Sequence, residues 1–297
     1  MRTKPLLSRY RVLVAPLAAL SMIAATVVAT PALAANPPIA IVGPAEWDLP
    51  TVPSANVFMQ TGVFQDSTNT YNASGQEVST ASSQTYEGIS RWAHLFSFKS
   101  TPNTGFFWEY LQPEVYVQLP NNQSASGLGD PMFDFGVYRN PTKSLTIGVQ
   151  QILSIPIGQQ QVTNHAWIYL PSIILDWHPT SGAAKNFALD GTFGAGVFSG
   201  LRGVTGAAAG HAPGALYYAE TSVRYQMNSW LAPFVQNVYQ TESSTNFFQS
   251  NHEDDIGAGL KINFTGARWL SIWYLTGASG ANTGKTNALY FRFVNIF

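Results

Sequence analysis

Twelve times along this chain, runs of about ten residues alternate between polar and apolar side chains, and the last run ends on the C-terminal residue, Phe297. The clearest run sets Tyr217, Ala219, Thr221, Val223, Tyr225 and Met227 against Tyr218, Glu220, Ser222, Arg224 and Gln226. A period of two places the first set on one face of a strand and the second on the other. One face is apolar and aromatic; the other carries an acid and a base in mid-strand. Such strands need lipid or a core on one side and water on the other, which a transmembrane β-barrel with a wet lumen provides.

The N-terminus supplies a route to a membrane. Arg2, Lys4, Arg9 and Arg11 form a basic head, an apolar stretch runs over 12–28, and Ala32-Leu33-Ala34 is a small-x-small cleavage site. This pattern predicts a secretory signal over 1–34, cut after Ala34, rather than a membrane anchor, since Pro16 interrupts the apolar stretch. The chain has no cysteine, which excludes a lipidated N-terminus, disulfides and thiolate metal sites.

Charged residues make up 10% of the chain, where a soluble domain carries about 25%. No apolar run of roughly 18 residues follows the signal, so a helical membrane protein is excluded and a barrel is the membrane fold that remains. Loss of the signal takes four basic residues with it and leaves 11 basic against 16 acidic, a net charge of −5. Nucleic acid and anionic surfaces are poor partners for such a chain.

The alternation predicts strands over 55–66, 86–98, 106–119, 129–139, 144–155, 166–177, 186–198, 215–227, 230–240, 254–264, 268–275 and 286–297. Connections after even strands are short turn sequences, such as Pro102-Asn103-Thr104-Gly105 and Asn228-Ser229. Those after odd strands are longer and polar, as over 67–85 and 200–214. Short turns on one rim and long loops on the other, with an even strand count, put both termini in the periplasm. Residues 35–54 carry Pro37, Pro38, Pro44, Pro50 and Pro53, too many for a central strand, and are expected to lie in the periplasm or enter the barrel mouth. Two aromatic girdles are expected: Phe106, Phe107, Trp108, Trp177, Phe187, Trp230 and Trp269 near the short turns, and Trp167, Tyr169, Phe198, Tyr217 and Tyr239 opposite. A secreted β-sandwich would bury such rings in mid-strand.

Several short motifs then resemble a known family. Gly127-Leu128-Gly129-Asp130, Pro156-Ile157-Gly158, the stretch from Gly214 to Tyr218 with Arg224-Tyr225, Tyr239-Gln240 and the final strand ending in Phe297 are similar, in order and spacing, to the outer-membrane proteins named for the meta-pathway of phenol degradation. The resemblance covers 86–297. It implies a bacterial outer-membrane channel, in Gram-negative cells, that takes up hydrophobic or aromatic growth substrates. Asn295 departs from the usual barrel end, where an apolar or aromatic residue occupies that position.

Enzymatic readings find little support. Barrel phospholipases need a His-x-Ser-Asn-Gly-like constellation, and none of the five histidines is followed by one. His252-Glu253-Asp254-Asp255 reads as a solvated acidic run in an external loop rather than a calcium site or dyad. Gly203 to Gly214 reads as a flexible loop, not a phosphate loop. The candidate site is the lumen itself. Strand parity points Glu114, Asp134, Asp176, Asp190, Glu220 and Asp255 inward, with Arg224, Lys261 and Arg292. Twelve strands leave a pore narrower than a porin's. The sequence therefore predicts an all-β, up-and-down, twelve-stranded outer-membrane barrel, monomeric and without a cofactor. It is expected to pass small hydrophobic or aromatic solutes, with outer-membrane lipid around it and Phe297 as the signal to the barrel-assembly machinery. A structural or adhesive barrel with a plugged lumen, and a barrel hydrolase, are the alternatives.

Overall fold

The structure, a computed structural model, describes residues 43–118, 123–204, 206 and 208–297. The expected signal and its cleavage site lie outside the described residues. Among the described residues fourteen strands follow one another: β1 (Ser54–Tyr71), β2 (Glu77–Ser97), β3 (Thr104–Gln118), β4 (Ser124–Leu128), β5 (Met132–Thr142), β6 (Leu145–Ser154), β7 (Ile168–Trp177), β8 (Phe187–Phe198), β9 (Leu216–Tyr225), β10 (Leu231–Glu242), β11 (Asn251–Thr265), β12 (Arg268–Ala281), β13 (Thr283–Gly284) and β14 (Asn287–Ile296). Twelve of them form one closed antiparallel barrel. β4 only extends the top of β3, and β13 caps the end of β1.

Closure falls on β1, which pairs with β2 on one side and β14 on the other. The C-terminal residue completes that seam: Asn56 N–H donates to Phe297 O and Phe297 N–H to Asn56 O, both at 2.9 Å. A ladder closed in this way leaves no edge in lipid. Asn295 is accommodated beside it, its side-chain oxygen accepting a 2.7 Å hydrogen bond from Arg268 Nε.

The predicted strands and the observed ones agree closely along most of the barrel, with one large exception. The loop expected over 67–85 is instead the upper part of β1 and β2, paired as far as Tyr71↔Glu77. Above the membrane both faces of a hairpin meet water, so the apolar half of the alternation disappears although the Thr, Ser and Val residues still suit a strand. The tip is set by Asn72, whose Oδ1 accepts from Ser74 N–H and Gln76 N–H, and by Gly75 at φ +77°. Lys285 Nζ reaches Glu77 at 2.8 Å and steadies the hairpin from outside.

The two family-like glycine motifs meet at the extracellular rim. Asp130, between β4 and β5, accepts from Gly158 N–H (2.9 Å), Thr163 Oγ1 (2.7 Å) and Asn164 N–H (2.7 Å). One buried carboxylate thus organises the loop after β6.

Exposed apolar residues cover the outside: Phe135, Ile147, Val149, Ile173, Val235, Ile256 and Leu260 all alternate with inward neighbours. Among the described residues no helix is long and apolar enough to cross a membrane; the strands do so. Trp108, Trp177, Phe187 and Trp230 face outward near the short turns, and Trp167, Tyr169, Tyr217 and Tyr239 face outward at the other rim. Phe107, Trp269 and Phe198 do not join the girdles: their strand parity turns them inward, where they pack on the lumen clusters.

Candidate functional site

The lumen is occupied from below. Residues 43–53 of the proline-rich segment run inside the periplasmic half of the barrel, the second of the two placements expected for it, and each turn of this plug is held by the wall. Ala45 N–H donates to Asp190 Oδ2 (3.0 Å) and Trp47 Nε1–H to Thr192 Oγ1 (2.7 Å), both on β8. Nearer the rim, Asn140 Nδ2 donates to Leu49 O, Tyr138 O–H to Pro50 O and Ser97 O–H to Val52 O. Prolines suit such a segment, because most of its polar backbone is answered by side chains rather than by a ladder.

Charge fixes the plug at Glu46. Glu46 Oε1 lies 2.6 Å from Arg91 Nη1 on β2, Glu46 Oε2 contacts Arg292 Nη1 on β14, and Arg91 Nη2 reaches Glu109 on β3 at 2.6 Å. All four side chains are almost wholly shielded from solvent. Buried pairs of this kind add little net stability, but loss of one partner strands the other. A second charged contact sits at the periplasmic turn, where His178 meets Asp176 of β7 through Nδ1 and lies 3.8 Å from Asp48 of the plug through Nε2. Burial works against protonated His178, but the hydrogen bond to Asp176 and the charges of Asp48 and Asp176 outweigh it, so its pKa lies above the ordinary 6.5.

The opposite side of the plug is apolar. Trp47 packs with Val57, Met59, Leu95, Phe107 and Val294, its ring 6.1 Å from that of Phe107. A cavity of about 60 Å³ remains between plug and wall there. Above the plug the inner wall is again apolar in two places, one around Phe234, Trp273, Leu275 and Tyr290, the other around Ile152, Leu170, Leu216 and Tyr218.

Of the residues assigned to the lumen from sequence, Asp134, Asp176, Asp190, Glu220, Arg224, Asp255, Lys261 and Arg292 are buried on the inward side of their strands. Asp176 and Asp190 stand directly opposite one another across β7 and β8. Arg292 belongs to the Glu46 cluster, and Lys261 lies over the Trp269 ring at 4.6 Å.

Glu114 is a correction. It is exposed and shares the outward face of β3 with Trp108 and Tyr116, while Glu109 takes the inward position. The five-residue separation forces the two acids onto opposite faces. Trp108 as a girdle residue was the signal that could have decided which. Glu87, Arg91 and Glu253 are inward residues that sequence parity did not single out, and Glu46 and Trp47 lay in a segment with no period to read. His252 to Asp255 begin β11 instead of forming a loop, with Glu253 and Asp255 buried inside.

The comparisons with known proteins agree with this architecture. Residues 67–293 match the family model described as "Putative MetA-pathway of phenol degradation". The chain belongs to that family. Among solved structures, the COG4313 outer membrane channel from Pseudomonas putida F1 superposes with a TM-score of 0.75 at 16% identity, covering 86% of this chain and 100% of that one. The β domain of the Bordetella autotransporter BrkA gives 0.51 at 8% identity, covering 82% of this chain and 100% of its own. None of the curated proteins is similar enough in sequence to count as a match. The fold of this family member is thus that of an outer-membrane β-barrel.

Proposed function

We propose that this protein is a passive channel through which small hydrophobic or aromatic solutes cross the outer membrane. The observation that carries this is the inner wall: above the plug, two apolar clusters interrupt its charged residues and offer a ring apolar surface to pass along. Below them the plug leaves its apolar flank, with the 60 Å³ cavity, against β1, β2, β3 and β14. An apolar cavity of about 150 Å³ holds benzene, so passage of a single ring requires side chains such as Met59 to swing aside. In this reading the polar flank of the plug is the fixed hinge and the apolar flank is the path. The description of the Pseudomonas putida protein as an outer membrane channel supports it.

The remaining assignments accompany this proposal. A secretory signal ending at Ala34 exports the chain, the barrel-assembly machinery reads the strand ending in Phe297, and the folded protein works as a monomer in lipid without cofactor or catalysis. Cells with an intact lipopolysaccharide barrier provide the test. Expression should speed accumulation of 1-N-phenylnaphthylamine, and Ala93→Phe, which fills the cavity beside the plug, should return the rate to that of cells lacking the protein. A plug also suits a structural or adhesive barrel. Zero single-channel conductance together with an unchanged dye rate would decide for that second reading.

A further inference from the structure

Glu114 places a carboxylate on the face of the barrel that meets lipid. Among the described residues it takes part in no ion pair. Ionisable groups on that face are costly and call for a reason.

The surroundings of Glu114 are those of a binding site. It lines a hollow of about 570 Å³ on the outer wall, within the size range of small-ligand pockets. The floor is low at Gly88 of β2, which carries no side chain and stands beside Glu114 in register, while the Phe291 ring covers Gly62 of β1. Four rings border it in a continuous chain: Tyr116 lies 5.8 Å from Tyr86, Tyr86 5.1 Å from Phe64, and Phe64 5.9 Å from Phe291. Leu128 of β4 flanks the carboxylate on its other side. Tyr86 and Tyr116 set the level of the hollow towards the extracellular end, within the outer leaflet.

We propose that this hollow binds a single-chain amphiphile with an amine head group, drawn from the outer leaflet. A carboxylate selects a cation, and aromatic rings around it add cation–π attraction, as in cages for quaternary ammonium groups. The rings and Leu128 then offer apolar wall to one alkyl chain. The hollow's volume, about 570 Å³, is that of a site for one small ligand, which suits a single chain. The inference stands on the lipid face and holds whether or not the lumen conducts.

Native mass spectrometry of the folded barrel in maltoside micelles tests it, with dodecyltrimethylammonium, dodecyl sulfate and dodecanol titrated in parallel. One copy of the ammonium should bind, at least tenfold tighter than the sulfate or the alcohol. Glu114→Gln should lower that affinity about tenfold while the unheated protein still migrates fast on SDS gels. Gly88→Leu, whose first side-chain atom meets nothing closer than Gln60 at 3.7 Å, should fill the hollow and abolish binding. Equal binding of ammonium by the wild type and Glu114→Gln, or of sulfate and ammonium by the wild type, would overturn the assignment. So would displacement by an equal concentration of short-chain phosphatidylethanolamine, which would make the occupant a two-chain lipid.

Discussion

Glu46 joins Arg91 of β2 to Arg292 of β14, the two strands that flank the closing strand β1, so one plug carboxylate spans the seam of the barrel from inside. Wall and plug are therefore tied at the point where the cylinder closes.

Glu46→Gln keeps the shape of this tie and removes its charge. Breaking one partner of a buried ionic cluster costs about 3–5 kcal/mol. The hydrogen-bonded ladder does not depend on Glu46, so the loss should fall on plug docking rather than on the barrel. Single-channel recording should show larger and noisier currents than the wild type, with unheated mobility on SDS gels unchanged. Identical currents would mean that the plug is held by its backbone contacts alone.

His178 gives the plug a dependence on pH. Its pKa is raised in the fold above the ordinary 6.5, so the bridge between Asp48 and Asp176 is fully present below pH 6.5 and is lost as pH rises through the raised value. Conductance should accordingly step upward as pH rises above 6.5. His178→Gln should remove the step and leave the current at its alkaline level throughout; a step that survives this substitution would assign it to another group.

How much of this was legible before the fold is a question of where the chain alternates. β9 and β11 separate Tyr217, Val223, Ile256 and Leu260 from Glu220, Arg224, Asp255 and Lys261 because one face meets lipid and the other does not, and the observed burial follows the same parity. β3 is different. Phe106, Trp108 and Tyr110 alternate with Phe107, Glu109 and Leu111, so both faces look apolar, and only the girdle position of Trp108 distinguishes them. The plug has no period at all. Its position depends on partners such as Asp190 and Arg292, well over a hundred residues away in sequence, and no local pattern carries that information.

Assembly should depend on Phe297 for two separable reasons. Its backbone makes two of the hydrogen bonds that close the seam with Asn56, and its ring lies edge-on to Trp92 at 6.5 Å on the lipid face. Deleting Phe297 removes both. Phe297→Ala removes only the ring contact, an aromatic pair contributing about 0.5–1.5 kcal/mol beyond its buried area. Folded protein recovered from outer membranes should fall for both variants, further for the deletion. Equal, undiminished yields would show that neither the last residue nor its ring matters to insertion.

Ion selectivity follows from the inward charges. On the strands, the described buried residues include eight carboxylates (Glu87, Glu109, Asp134, Asp176, Asp190, Glu220, Glu253 and Asp255) against the four cations Arg91, Arg224, Lys261 and Arg292. Whatever small ions pass should then experience a negative lumen, which concentrates cations and repels anions. The Debye length of about 8 Å at physiological salt approaches the radius of so narrow a barrel, so the preference should be moderate and weaken as salt rises. The same field bears on the proposed solutes: a neutral phenol passes it more readily than an ionised aromatic acid. Arg224, next to the last residue of β9 and so near the periplasmic rim, shares its face with Glu220 and offsets the field there. In a salt gradient the wild type should favour potassium over chloride, and Arg224→Ala should sharpen that preference. A reversal potential favouring chloride at low salt would contradict the charge inventory, and unchanged selectivity in the variant would place Arg224 outside the conducting path.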